Sequence, residues 1–395
     1  MEKHDETIEL TRELVKLASP YFEERDVMGF ALKWLEGQGF NPFIHRYKVR
    51  TAVDFDGENV VCALEGRQGG PVICLNGHLD TVRLAHGWTR DPYGAEIADG
   101  KMYGVGALDM KSGCAALMIA LRNFVKNNAD FAGKVILTLV SDEEGPYGLG
   151  TNALIEEGLL NGIDCAIVAE PSSCFTKMDF PVLCLGAKGA MAYQVDFFGK
   201  AAHAAIPEEG INAAVDASGF LAEMAGQKGR VKDILGEGRI CPIAITADGG
   251  ACSVPDHAMV TVYRHIVNGE TVETVITEAE ELLKRLKPAC EYKISMRPAP
   301  TEGSSYYKPY VLPEDDRFVI KMQEAISERF TRKASIGYLA SVGDFNYLAT
   351  RLGNVPTLII GPDGGNIHQA DEYVNVDTVG GTADILELFL EKTML

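Results

Sequence analysis

The sequence predicts an α/β fold in which a large αβα domain, built on a mostly parallel sheet, carries an inserted ferredoxin-like α+β domain. Towards both ends of the chain, short continuous apolar runs alternate with longer helical patterns, as in parallel sheets covered by helices on both faces. The middle of the chain instead has the order strand-helix-strand-strand-helix-strand. The length of 395 residues suffices for two or three domains.

The larger domain begins with two amphipathic helices. Leu10, Leu14 and Leu17 recur at helical spacing, and a second apolar stripe from Val27 ends at Gly37. The pattern then changes to apolar runs of strand length, which are residues 60–64, 72–75, 135–140, 163–169 and 357–360. Helical patterns over residues 113–125 and 317–330 separate them, which predicts strands joined by covering helices.

The inserted domain is predicted over residues 186–299, with residues 1–185 and 300–395 forming the larger domain. Tyr193, Val195 and Phe197 alternate with polar residues, as in a strand with one buried face. A helix from Ala213, strands over 240–246 and 259–266, a helix over 272–286 and a strand over 291–296 follow. This order is the split βαβ layout of ferredoxin-like domains.

Composition excludes several classes of partner. The chain has 56 acidic and 37 basic residues, a net charge of −19, which repels nucleic acid and anionic membranes. No apolar run reaches the roughly 18 residues that a membrane helix needs. The nine cysteines never form C-x-x-C and lie mostly in apolar runs, which is typical of free thiols in a reducing compartment. We therefore expect a cytoplasmic protein that binds neither nucleic acid nor membranes.

Polar residues follow the apolar strands where a site is expected. In open α/β sheets, ligands bind beyond the carboxyl ends of the strands. The residues at these ends, with one acid in the loop before the helix over 113–125, are His78, Asp80, Asp109, Glu143, Glu144, Glu170 and His368.

Such a group of carboxylates needs compensating positive charge, because like charges in contact cannot all stay ionised. A pair of divalent metal ions supplies it, and imidazole with carboxylate suits zinc, cobalt or manganese. Asp109 could bridge the two ions. Asp80 is spaced to accept the second N–H of the His78 imidazole. Of Glu143 and Glu144, one could bind metal while the other takes a proton from water.

At this point the sequence resembles a known family. The segment His78-Leu79-Asp80-Thr81-Val82 is similar to the G-H-x-D-T-V signature of the M20 metallopeptidases and deacylases. The resemblance covers nearly the whole chain in the family's order, and its further motifs are Trp88–Tyr93, Asp109-Met110-Lys111, Asp142–Gly145, Glu170-Pro171-Ser172 and His368.

The resemblance implies a role for each of these residues. One metal ion is held by His78, Asp109 and Glu170, and the other by Asp109, Glu144 and His368. Glu143 is the general base, and Asp80 orients His78.

Two further residues receive roles from the resemblance, both in the inserted domain, which resembles the family's lid and dimerisation domain. The segment Gly199–Pro207 is similar to the family's G-x-x-A-H-x-x-x-P, and its histidine is His203. In dimeric members this histidine reaches the partner subunit's active site and stabilises the oxyanion. Arg264 matches an arginine that binds a substrate carboxylate. Alternatives from the residues alone are that His203 caps a helix and that Arg264 covers apolar surface beside Val260 and Val262.

The function expected from these observations is that of a dinuclear metal-dependent hydrolase, most readily zinc-dependent, that cleaves the amide bond of a small N-acyl amino acid. It is expected to form a homodimer through the inserted domain. A second reading is an exopeptidase for di- or tripeptides on the same scaffold, since both need the same metal pair. A third is a non-catalytic binding relative, against which the complete set of ligands and the base argue.

Overall fold

The computed structural model describes residues 4–145 and 147–395. None of the helices in these ranges is both long and apolar enough to cross a membrane. The α-helices are α1 (Asp5–Val15), α2 (Arg25–Gly37), α3 (Ser112–Asn127), α4 (Leu149–Glu156), α5 (Ser172–Thr176), α6 (Ala213–Met224), α7 (Val272–Leu286), α8 (Arg317–Phe330), α9 (Asp344–Arg351) and α10 (Val376–Met394).

The strands belong to three sheets. In chain order they are β1 (Phe43–Val49), β2 (Phe55–Glu65), β3 (Arg67–His78), β4 (Glu96–Ala98), β5 (Lys101–Tyr103), β6 (Ala132–Val140), β7 (Cys165–Val168), β8 (Val182–Ala187), β9 (Gly189–Phe198), β10 (Lys228–Asp233), β11 (Gly236–Ala247), β12 (His257–Ile266), β13 (Glu291–Met296), β14 (Tyr306–Tyr307), β15 (Tyr310–Val311), β16 (Ser335–Leu339), β17 (Thr357–Ile359), β18 (Gly364–Gly365) and β19 (Tyr373–Asn375).

The chain divides into two compact units. Unit 1 comprises residues 1–187 and 310–395, and unit 2 comprises residues 188–309. The predicted boundaries, after residues 185 and 299, lie two and ten residues before those of the structure. The segment beyond residue 299 stays with unit 2 because β14 pairs with β9 before the chain returns to unit 1.

The main sheet of unit 1 has the order β1-β2-β6-β3-β7-β17-β8-β15, with β16 paired to β8. Its central strands β6, β3, β7 and β17 are parallel, as predicted, whereas β1, β2 and β15 pair antiparallel with their neighbours. Ile73, Cys74 and Leu75 of β3 are fully buried. Parallel central strands bring the ends of β3, β6 and β7 to one edge of the sheet, as the site prediction requires.

Local sequence accounts for the covering helices. The α8 helix spans Arg317–Phe330, the predicted range, and begins where the Asp316 side chain accepts hydrogen bonds from two N–H groups of its first turn. The α3 helix is buried from Ser112 to Leu121 because its small and apolar residues leave no charged face over those turns.

A small second sheet of unit 1, in the order β18-β19-β5-β4, lies close in sequence to the predicted site residues. Its β19 strand pairs antiparallel with β5, with Tyr373 opposite Tyr103. Glu372 directly precedes β19, and Gly104 directly follows β5. This pairing brings the segment after His368 to the loop that carries Asp109.

Unit 2 has the strand layout expected from the sequence, with two additions, β10 and the short strand β14 that pairs with β9. Its sheet order is β10-β11-β12-β9-β13, and β10 is a strand that the sequence patterns did not predict, since it is rich in lysine and glycine. The helices α6 and α7 bury one face of this sheet around a core that includes Phe197, Phe220 and Leu283. The α7 helix begins at a capping box formed by Thr271 and Thr274.

Candidate metal centre

The end of each central strand supplies one part of the site. His78 is the last residue of β3 and lies opposite Val140, the last residue of β6. Glu143 and Glu144 follow β6 after a turn, and Glu170 stands two residues beyond β7. All of these side chains are buried or half-buried. The strand ends therefore converge because the three strands are parallel neighbours.

Asp109 enters from a loop that is neither strand nor regular helix. Residues Ala107–Lys111 form a single π-helical turn before α3, and Asp109 and Met110 within it have non-helical dihedral angles. The peptide bond between these two residues is cis. The turn places a buried carboxylate beside the end of β3.

Asp109 lies between the two histidines. Its Oδ1 is 3.3 Å from His78 Nε2, and its Oδ2 is 3.3 Å from His368 Nε2. His368 Nε2 is also 2.9 Å from Glu144 Oε1. Because each Asp109 oxygen faces a different imidazole, this carboxylate has the geometry to bridge two ions.

The remaining acids surround His78. Its Nε2 lies 3.5 Å from Glu170 Oε1 and 3.7 Å from Glu143 Oε2. Among the residues that the structure describes, two triads have ligand atoms within 4.8 Å of one another, His78-Asp109-Glu144 and His78-Glu143-Glu170. The structure thus brings all five predicted ligands and the predicted base together, while the division of ligands between two ions stays a prediction.

Burial makes this group of acids costly. The pKa of Glu170 is raised to about 8 and that of Glu144 to about 7. For both residues burial is the largest cause, and the negative charge of Asp109 is the second largest. Burial likewise raises the pKa of Glu143 well above its usual range, and neighbouring carboxylates add to this.

The histidines respond in the opposite sense. Burial opposes the charged imidazole of His368, but hydrogen bonds to Asp109 and Glu144 outweigh it and raise its pKa to about 11. The pKa of His78 is raised for the same reason, and that of Asp109 is lowered because the two imidazoles outweigh its burial. Protons on imidazole here compensate charge that divalent cations would compensate better. Two nitrogen donors among carboxylates fit zinc, cobalt or manganese.

Asp80 has a role that differs in part from the predicted one. Its Oδ1 and Oδ2 accept hydrogen bonds from the backbone N–H groups of Glu143 and Glu144, at 3.2 and 2.8 Å. His78 Nδ1 lies closer to the backbone carbonyl of Asp80, at 3.0 Å, than to its carboxylate, at 3.5 Å. The Nδ1–H group of His78 can therefore donate to this carbonyl, while the Asp80 carboxylate holds the turn that carries Glu143 and Glu144.

Three further acids adjoin the site, and sequence reasoning missed them. Glu24 accepts hydrogen bonds from the N–H groups of Phe22 and Asp142, and burial raises its pKa to about 8. Asp344 accepts from the Thr151 hydroxyl. Glu372 accepts from three N–H groups of the Asp109 loop. Glu24 and Glu372 each stand beside another acid, as in an exposed acidic turn, and Asp344 follows no apolar run, so no local signal marks them.

Gly343 shows how closely the site is packed. A Cβ atom added at this residue would lie 2.6 Å from Glu143 Oε1. The backbone between β16 and α9 therefore approaches Glu143 as only a glycine allows, and any side chain there would displace the predicted base.

The two predicted residues of unit 2 are in different environments. His203 is exposed, and its Nδ1 accepts a hydrogen bond from the N–H of Ala205. It caps neither helix of the unit, since the N-caps of α6 and α7 are Asn212 and Thr271. In the neutral ring, its Nε2 then carries the proton and can donate.

Arg264, in contrast, is only 1% exposed and lies on the helix-covered face of the sheet with Val260 and Val262. Its guanidinium donates hydrogen bonds to Glu270 and, at 3.3 Å, to Glu278. Substrate binding by Arg264 stays a prediction, and the structure gives this side chain a different set of partners.

A family model described as peptidase family M20/M25/M40 matches residues 74–392. Among curated proteins, the chain is 30% identical over 334 residues to a succinyl-diaminopimelate desuccinylase of Psychrobacter arcticus, covering 82% of this chain and 79% of the relative.

Solved structures show the same fold at lower identity. A tripeptidase of Staphylococcus aureus superimposes with a TM-score of 0.78 at 18% identity, covering 99% of this chain and 98% of that one. A Bacillus subtilis protein described as a dinuclear metal-binding peptidase of the M20 family gives a TM-score of 0.71 at 15% identity, with 99% and 98% covered.

Proposed function

The chain belongs to peptidase family M20/M25/M40, and from this premise we propose that it is a hydrolase that uses two divalent metal ions to cleave the amide bond of a small N-acyl amino acid. The observation that carries the proposal is the position of Asp109, with one carboxylate oxygen towards each of two histidines. The name of the desuccinylase relative supports an N-acyl substrate.

The residues that would hold the ions are those of the buried cluster. His78, Asp109 and Glu170 would hold one ion, and Asp109, Glu144 and His368 the other. Zinc is the first candidate, with cobalt and manganese as alternatives. Bound there, the ions would polarise the substrate carbonyl and lower the pKa of water.

Glu143 is proposed as the general base. Its carboxylate lies beside His78 but belongs to neither ligand set of the proposal. It takes the proton of the attacking water and returns it to the leaving amine, so that the proton never enters bulk solvent. The half-buried position of Glu143 beside His78 suits this role, because a general base must lie within reach of the reacting water. Asp80 keeps Glu143 in place through the backbone N–H.

The role proposed for His203 requires a second subunit. Its Nε2 is free to donate once Nδ1 accepts from Ala205, which suits stabilisation of an oxyanion in the active site of a partner subunit. We therefore propose that His203 acts across a homodimer and that unit 2 serves as lid and dimerisation domain.

Unit 2 offers a surface that fits a second copy of the chain. In β11, residues 240–247 pair with β12 on one side, while β10 pairs only with residues 236–239 on the other. The open half of β11 exposes Ile243 and Ile245, at 51% and 43%, and α6 exposes Val215 at 65%. An apolar edge strand of this kind is a template for pairing with another strand.

The cellular location is also a proposal. All nine cysteines are free thiols in the structure, and Cys241 and Cys252 are exposed. Exposed thiols of this kind persist where the surroundings are reducing. We place the protein in the cytoplasm on this ground.

The experiment that tests the proposed function is a substrate panel. N-succinyl and N-acetyl amino acids, dipeptides and tripeptides are incubated with protein loaded with zinc, cobalt or manganese. We expect the highest kcat/KM for an N-acyl amino acid. Faster cleavage of di- or tripeptides would instead assign the protein as an exopeptidase. Absence of turnover across the panel, with two ions bound per chain, would leave a non-catalytic binding protein.

A further inference from the structure

Glu372 is a buried acid with no place in the proposed ligand set. Its side chain is 1% exposed. Its Oε1 accepts hydrogen bonds from the N–H groups of Leu108 and Asp109, at 2.9 and 3.1 Å, and its Oε2 accepts from Gly106 at 3.2 Å. Its backbone carbonyl accepts from Gly104 at 3.0 Å. One residue therefore accepts four hydrogen bonds from the loop that carries Asp109.

The loop needs acceptors from outside itself. Asp109 and Met110 have non-helical dihedral angles, so the backbone of this turn cannot follow a regular i to i−4 hydrogen-bond pattern. The residues Leu108 and Asp109 also precede the N-cap of α3, Lys111, so that the helix provides no carbonyl partner for their N–H groups. Buried N–H groups in such a place require an acceptor, and Glu372 provides it.

The orientation of Asp109 depends on this loop. Each of its oxygens lies 3.3 Å from the Nε2 of a different histidine. His368, one of the two, is only four residues before Glu372 in the chain, and β19 joins the same segment to β5. A single short segment thus supplies a predicted ligand and fixes the backbone of another.

We propose that Glu372 is a positioning residue that fixes the bridging carboxylate of Asp109 before a metal ion binds. The inference rests on the proposed function, since it takes Asp109 to be a metal ligand. Glu372 does not touch the ligand atoms. It acts through the backbone of residues 106–109, so its loss allows Asp109 to rotate away from the position between the histidines.

The neighbouring residue offers a matched control. Asp371 also accepts three hydrogen bonds, from the N–H and hydroxyl of Thr89 and from the N–H of Arg90. These residues belong to a loop that carries no predicted metal ligand. Asp371→Ala therefore removes the same number of hydrogen bonds from the same segment without loosening Asp109.

The test is a calorimetric titration of metal-free protein with Co²⁺, together with the visible absorption spectrum of the bound ion. Partners that orient metal ligands typically contribute 10- to 100-fold to affinity. We expect Glu372→Ala to weaken Co²⁺ binding by roughly that factor and to alter the spectrum. Asp371→Ala should leave the Co²⁺ affinity within about twofold of the wild type, because its hydrogen bonds hold another loop.

A second variant covers the case in which Glu372→Ala does not fold. Glu372→Gln keeps one oxygen to accept from Leu108 and Asp109, but its NH2 group cannot accept from Gly106. We expect an affinity between those of the wild type and the alanine variant. Folded Glu372 variants that bind Co²⁺ as the wild type does would overturn the positioning role while leaving the proposed function intact. A wild-type protein that binds no Co²⁺ would instead remove the proposed function.

Discussion

Both units bury acidic side chains, but they compensate the charge differently. In unit 2, Glu270 is buried against the guanidinium of Arg264, a permanent cation supplied by the same chain. In unit 1, the buried carboxylates of Glu143, Glu144 and Glu170 gather around histidines, which are cations only while protonated.

This difference separates a structural ion pair from a binding site. A buried ion pair between permanent charges is complete when the chain folds, and breaking it is costly. Carboxylates compensated by imidazole protons can exchange those protons for metal ions, because both occupy the same nitrogen and oxygen atoms. The buried acids of unit 1 can therefore exchange their compensating protons for cations, whereas Glu270 of unit 2 is compensated by Arg264 of the same chain.

The largest effect is expected from removal of the proposed base in unit 1. Glu143→Gln should lower kcat by about 10²- to 10⁴-fold, because a general base contributes on that order. The number of metal ions bound, measured by elemental analysis, should stay that of the wild type. Glu65→Gln removes an exposed carboxylate of β2 and serves as the control. Turnover of the Glu143 variant near the wild-type rate would assign the base elsewhere.

The next largest effect concerns the ion pair of unit 2. Arg264→Met should destabilise the unit by about 3–5 kcal/mol, because it leaves Glu270 buried without a cation. Hydrogen exchange of the β12 amides measures the stability of unit 2 directly. Tryptophan fluorescence would not, because both tryptophans, Trp34 and Trp88, lie in unit 1.

The double variant Arg264→Met with Glu270→Gln sharpens the same prediction. It removes both charges, and the glutamine carbonyl can still accept from the N–H of Val267, as Glu270 does now. We expect it to recover most of the lost stability, since a neutral buried pair carries no uncompensated charge. A double variant as unstable as Arg264→Met would show that packing, not charge, dominates at this position.

The smallest effect concerns His265, whose surroundings are the reverse of those of the site histidines. Burial lowers its pKa to about 4, and the charges of Lys188 and Arg239 add to this. The His265 ring therefore binds more protons when unit 2 is unfolded than when it is folded, between about pH 6.5 and pH 4. Unit 2 is fully stabilised by the neutral ring above this window and loses stability as the pH falls through it.

Replacement of the ring tests this sign. The titration of His265 should lower the unfolding free energy of unit 2 by at most about 3 kcal/mol between pH 6.5 and pH 4. His265→Gln should remove this contribution. Hydrogen exchange of unit 2 over that range is the measurement. His257→Gln, at the exposed start of the same strand, should leave the wild-type decrease in place. An equal decrease in both variants would remove His265 as its source.

Much of the fold and site could be predicted from short stretches of sequence. The strands β2, β3, β6, β7 and β17 of the main sheet overlap the predicted apolar runs, and the α8 helix coincides with its predicted range. The strands β1, β8, β15 and β16 of the same sheet were not predicted. The candidate ligands directly follow those strands, so their convergence at one edge was predictable once the strands were taken as parallel. The short strand β10 of unit 2 was not predicted either, because Lys228, Lys232 and Asp233 pair with β11 without an apolar pattern.

Sequence by itself determined which residue types stand at which strand ends, because burial periodicity and polar motifs are local properties of the chain. Tertiary structure alone decided what each buried polar atom contacts. Glu372 holds the loop of Asp109 from 263 residues away, the Asp80 carboxylate binds the turn after β6, and Arg264 faces Glu270. Periodicity predicts that a side chain is buried, but its hydrogen-bond partners depend on which distant segments the fold brings beside it.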